Sequence, residues 1–181
     1  MLREKIKKNF FKCVILLVFC GILQLNNSCQ RDDICPATTQ TTPLLRIAFV
    51  DFEDPEIPKP PVNLRVKAAD YDSIFLNRVN VAEISIPLRP NMDFTEYEFI
   101  LNAPVIPAEG EDEPEDNSNT DRISFAYSPN EEYINRACSY RVSYQNLSAT
   151  ISGDNDRWIS TILVEESNIE NETDIHIYIY H

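Results

Sequence analysis

The chain has 181 residues, 16 Lys and Arg against 29 Asp and Glu, and a formal charge of -13. That length suits one well-cored domain. So acidic a surface repels phosphate backbones and anionic headgroups, which argues against nucleic acid as a ligand and against charge-driven membrane binding.

The amino-terminal stretch MLREKIKKNFFK is basic and runs into the apolar segment Cys13 to Leu25. This run is short for a membrane span and suits the core of a signal peptide. It stops at Asn26, Asn27, Ser28 and Cys29. A small residue directly before a cysteine, with Leu25 four positions upstream, resembles the lipobox of bacterial lipoproteins. That resemblance implies diacylglycerol on the Cys29 thiol, cleavage after Ser28 and acylation of the new amino terminus. An uncleaved membrane anchor is the alternative, and either reading places the domain outside the cytoplasm. Residues 1–28 carry five cations against Glu4, a surplus of four, so their removal takes the formal charge from -13 to -17. Cys13 and Cys20 leave with the signal and lipid consumes Cys29, so Cys35 and Cys138 remain. Two thiols in an oxidising compartment suggest one disulfide, two separately buried thiols being the other possibility.

Residues 29–43 read as the lipidated cysteine and a tether, and periodic structure begins near Leu44. Leu45, Ile47 and Phe49 share one face of an extended segment, and Val62, Leu64 and Val66 alternate with polar partners in the next. EDPEIPKPP between them suits neither helix nor central strand. Ile84 and Ile86 follow, and Pro87, Arg89, Pro90 and Asn91 close that strand and open a turn. Tyr97, Phe99 and Leu101 come next, then the acidic, proline-broken stretch 102–121, expected as a mobile loop. Ile123, Phe125 and Tyr127, then Cys138, Tyr140, Val142 and Tyr144, keep the period of two. Leu147, Ala149 and Ile151 lead into Gly153 to Asp156, after which Trp158, Ile162 and Val164 resume as the far side of an expected hairpin. Ile175, Ile177 and Ile179 form the last strand. The pattern predicts an all-β chain over 44–181: an antiparallel β-sandwich, Ig-like or related, of about eight to ten short strands.

Candidate chemistry is sparse. After cleavage two histidines remain: His176 falls on the polar register of the last strand, as a surface or edge residue, and His181 is expected to fray. No zinc-ligand spacing and no glycine-rich phosphate loop occurs, so no cofactor is expected. Asp154, Asn155 and Asp156, or Glu109 to Asp116, offer oxygens to calcium, but a solvated turn and an acidic loop account for the same residues. Trp158, His176, Tyr178 and Tyr180 are the possible ligand surface, the other reading being ordinary strand residues with Trp158 as an anchor of the core. Tyrosines on an exposed sheet face can bind sugars or proteins.

DDIC at 32–35, TTPLLRIAFVDF at 41–52, ACSYRVSY at 137–144 and HIYIY at 176–180 resemble small Bacteroidetes lipoproteins of unassigned activity. The resemblance covers nearly the whole mature chain and implies paired cysteines and an all-β fold. Members often carry ACGY where this chain has Ser139 in place of the glycine. QRDD just after Cys29 resembles signals that send such lipoproteins to the cell surface. The sequence therefore leads to a cell-envelope, outer-membrane lipoprotein held by its lipid anchor. Its expected role is a non-enzymatic binding or structural module for an unidentified protein or glycan partner. An extracellular hydrolase or its accessory subunit is the alternative, and it would need a pocket with convergent carboxylates.

Overall fold

In a computed structural model, residues 12, 34–112, 114–152 and 156–181 are described. The signal segment apart from Lys12, the lipidation candidate Cys29, and the calcium candidates Asp154 and Asn155 lie outside them. Contacts divide the chain into two units, one of Met1–Ala37 with Arg136–Cys138 and one of Thr38–Asn135 with Ser139–His181. The first holds a disulfide between Cys35 and Cys138, whose Cα atoms are 4.7 Å apart. The two thiols are thus bonded rather than separately buried.

The second unit carries nine strands: β1 Leu45–Val50, β2 Leu64–Ala68, β3 Ile74–Val79, β4 Glu83–Ile86, β5 Phe94–Leu101, β6 Asn119–Asn135, β7 Ser139–Ser152, β8 Thr161–Val164 and β9 Ile177–Tyr180. From Ile34 onward the described residues contain no helix. One sheet has the order β4-β1-β9-β8 and the other β3-β2-β5-β6-β7, the all-β two-sheet architecture that the period of two predicts. Every pairing is antiparallel except β1 with β9, which run parallel from Ile47 opposite Ile177 to Val50 opposite Tyr180.

Alternation builds the core. Leu45, Ile47 and Phe49 from β1 and Ile177 and Ile179 from β9 are fully buried, with Leu64, Val66, Phe99, Ile123, Phe125 and Tyr144 contributed by the second sheet. Each such side chain contributes about 1.5–3 kcal/mol by leaving water. Ala48 and Val50, on the other face of β1, are also buried, opposite Tyr178 and Tyr180 in the parallel register.

Several sequence expectations change. β7 and β8 lie in different sheets, so Trp158 to Val164 is not the second arm of a hairpin with Leu147 to Ile151; β8 instead pairs with β9. Cys138–Tyr144 and Leu147–Ile151 are expected as separate segments, yet β7 runs unbroken from Ser139 to Ser152, with a register shift against β6 near Ala126 and Ser128. Tyr140 is exposed while Val142 and Tyr144 are buried. The acidic loop is shorter than 102–121, because β6 begins at Asn119 and Asp121 is wholly buried. β3 was not expected at all.

Three glycines in the whole chain leave the left-handed turns to other residues. Asn63, Asn102, Asn146 and Asp70 take φ of 49°, 52°, 56° and 62°, as the residue types that tolerate this region best after glycine. Ser139 also sits at φ 62°, so the serine of ACSY adopts a glycine-type backbone.

Candidate functional site

Three inward tyrosines of the second sheet reach one segment. Tyr97 of β5 donates its hydroxyl to the Pro87 carbonyl at 2.5 Å, Tyr144 of β7 to Leu88 at 3.0 Å and Tyr127 of β6 to Arg89 at 2.9 Å. The Arg89 N–H donates to Thr95 Oγ1 at 2.9 Å, and Thr95 Oγ1 lies 2.5 Å from the Tyr127 hydroxyl. Because the Tyr127 proton is committed to the Arg89 carbonyl, Thr95 donates to Tyr127, which closes a ring of hydrogen bonds around Arg89. Proline at 87 and 90 fixes φ at each end of the segment. Burial pushes all three phenols up, Tyr144 to about 12. They remain donors throughout the physiological range.

The pinned segment forms one wall of a cleft of about 290 Å³, whose other lining includes Tyr71, Phe75 and Tyr97. This is near the lower bound of typical small-ligand sites. Phe75 meets the Tyr97 ring edge to face at a centroid distance of 5.2 Å. Both Tyr71 and Phe75 are exposed. The Arg89 guanidinium lies 5.1 Å from the centroid of the Tyr71 ring, a cation–π arrangement. Phe75 comes from β3, an edge strand with two register shifts against β2 and with Arg78 at φ 55°. Such bulges bend an edge away from further strand pairing. A second hollow of about 340 Å³ is lined by Thr38 to Thr41, Pro43 and Glu170 to Thr173, and its polar lining offers no aromatic platform.

The residues expected as one ligand surface are not brought together. His176 is 1% exposed rather than a surface residue. Its N–H donates to the Arg46 carbonyl at 3.1 Å and its Nδ1 accepts the Arg46 N–H at 2.9 Å. The imidazole thus stands in for a ladder carbonyl just ahead of β9. Trp158 packs against the core, with its Nε1–H donated to the Phe99 carbonyl at 3.0 Å. Tyr178 and Tyr180 stay half-exposed. His181 does not fray: its ring packs edge-on against both Phe49 and Trp158, and its Nε2 is 2.8 Å from the Lys59 carbonyl oxygen. Among the calcium candidates that are described, Asp116 Oδ1 accepts the Ser118 N–H and Glu111 Oε2 the Ala108 N–H, as ordinary loop caps. Among the described residues, no three His, Cys, Asp or Glu gather as a metal site.

Burial lowers both histidines below the usual 6.5, helped at His176 by the nearby Arg46 charge and at His181 by Lys59. The unfolded chain therefore binds more protons than the native one from pH 6.5 down to the lowered native values. Stability should be flat above about pH 7 and fall as the pH drops through that window. Asp51, lowered to about 2 chiefly by its hydrogen bond with Lys59, acts separately, between its ordinary 3.8 and about 2. Urea midpoints measured from pH 8 to pH 5 check this, and a midpoint that rises on acidification would contradict it.

An all-β two-sheet domain carrying an aromatic cleft on a tyrosine-pinned segment is the class of protein that these features define. The chain belongs to the Family of unknown function (DUF6452), whose model matches residues 63–181, the cleft included. No curated protein and no solved structure matches it.

Proposed function

We propose that the protein is a cell-envelope lipoprotein whose sandwich works as a non-enzymatic binding module, with the aromatic cleft as its ligand site. The observation that carries this reading is the pinning of Pro87–Pro90 by Tyr97, Tyr127 and Tyr144. Ordering the wall of a site before the ligand arrives removes much of the entropic cost of binding. Rings of Tyr71, Phe75 and Tyr97 with one guanidinium are groups that hold a ligand. An array of peptidoglycan fragments, polysaccharides and peptides tests it. The wild type is expected to retain a ligand saturably and release it with unchanged mass, and Tyr71→Ala with Phe75→Ala to lose it. A ligand recovered in cleaved form would favour the hydrolase alternative, and equal retention by the double variant would remove the cleft.

The envelope address is supported by the amino-terminal sequence, by the Cys35–Cys138 disulfide, a bond that persists best in an oxidising compartment, and by the resemblance to small Bacteroidetes lipoproteins. It predicts that alkyne-palmitate labels the wild type in cells. Cys29→Ser should abolish the label. An unlabelled wild type, or a Cys29→Ser protein still labelled, would contradict lipidation at this residue.

A further inference from the structure

We propose that the cleft recognises a carboxylate carried on a flat apolar group, an inference that rests on the binding reading above and names its ligand. The chain is strongly acidic, 29 carboxylates to 16 cations, and several of its cations have an acid close by. Arg46, Lys59, Lys67, Arg122 and Arg141 all do. Among the described residues none of these ion pairs uses Arg89; its guanidinium is placed over the Tyr71 ring at 5.1 Å. Asp70, next to Tyr71 in sequence, is turned to Arg122 at 3.2 Å.

The arrangement separates two tasks. The backbone of Arg89 is fully occupied, its N–H by Thr95 and its carbonyl by Tyr127, so the residue is fixed without any use of its side chain. The guanidinium is left to the cleft, with a planar fork of donors that matches a carboxylate in bidentate fashion. Tyr71, Phe75, Pro87 and Pro90 offer ring faces and edges to an apolar body beside it, with the buried Tyr97 behind them. A half-buried guanidinium stacked on tyrosine costs less to desolvate than an ammonium would. A neutral apolar ligand would leave that charge facing an uncharged surface.

Calorimetric titration of the disulfide-bonded chain with N-acetylphenylalanine and with its neutral amide tests this. The acid is expected to bind about tenfold or more tightly than the amide, the size of one charge-assisted contact. Arg89→Gln should equalise the two with an unchanged melting midpoint, Arg89→Lys should restore part of the preference, and Tyr71→Ala should weaken both. A peptide ending in phenylalanine binding more tightly than N-acetylphenylalanine would identify a chain end as the source, and equal binding a free acid. Equal binding of acid and amide by the wild type, or a preference kept in Arg89→Gln, would overturn the proposal. So would no binding of either at millimolar concentration. In each of these cases a ligand retained on the array would leave the binding reading standing.

Discussion

Replacing both Cys35 and Cys138 with serine should lower the stability of the oxidised protein by about 4–5 kcal/mol. The bond spans 103 residues of sequence, and in the chain-entropy model a closed loop of roughly 100 residues removes about 4.7 kcal/mol of freedom from the unfolded chain. Few single changes in a domain of this size cost more. The effect acts on the unfolded state, so the sheets should keep their native signature. The urea m-value should rise, because an uncrosslinked denatured chain exposes more surface. Melting should fall by roughly 10–20 °C. Paired urea unfolding curves check this, and a serine variant within about 1 kcal/mol of the wild type would show that the crosslink constrains little.

Phe125→Ala should cost about 3–5 kcal/mol, the usual range for removing a buried phenyl ring. Phe125 is wholly buried on β6, with Tyr97 and Phe99 each at 6.4 Å between ring centroids. Both neighbours belong to β5, hydrogen-bonded to β6 in register from Phe94 to Leu101. The backbone there cannot close around a void without breaking that ladder, so most of the cavity should persist. The control is Tyr133→Ala near the far end of the same strand. Tyr133 meets Tyr140 at 5.2 Å, but both rings are more than half exposed. Its loss should cost about 1 kcal/mol or less. Equal losses at the two positions would mean that the core is not centred where the burial pattern puts it.

Much of the fold was legible because burial of one sheet face writes itself as alternation. Leu45-Ile47-Phe49, Tyr97-Phe99 and Ile123-Phe125-Tyr127 were placed correctly on that ground alone. β3 was missed because Ile74-Phe75-Leu76 is a continuous apolar run on an exposed, bulged edge, where no alternation is demanded. The parallel pairing of β1 with β9 joins residues about 130 positions apart, and nothing local specifies it. His176 was assigned to the wrong side because period two was extended one residue beyond the strand, into a position where the ring serves as a ladder acceptor.

The cleft was half legible. Pro87, Arg89 and Pro90 were recognised as closing a strand, yet the tyrosines that hold them looked like ordinary core aromatics. One signal was available: tyrosine in place of phenylalanine at three inward positions requires three partners for buried hydroxyls. A proline-flanked segment supplies carbonyls in a backbone whose φ is fixed at both ends. Tyr71 and Phe75 carried no sequence signal, because exposed aromatics in a turn and an edge strand look the same whether or not they face a ligand.

Protease treatment of intact cells, of cells with a permeabilised outer membrane and of lysed cells tests the envelope reading most directly, with a cytoplasmic protein as internal control. The account predicts digestion in one of the first two conditions while the control stays intact. Digestion on intact cells would place the cleft at the surface, and digestion only after permeabilisation would place it in the periplasm. Protection of both proteins until lysis would contradict an envelope address, and with it the lipid anchor at Cys29.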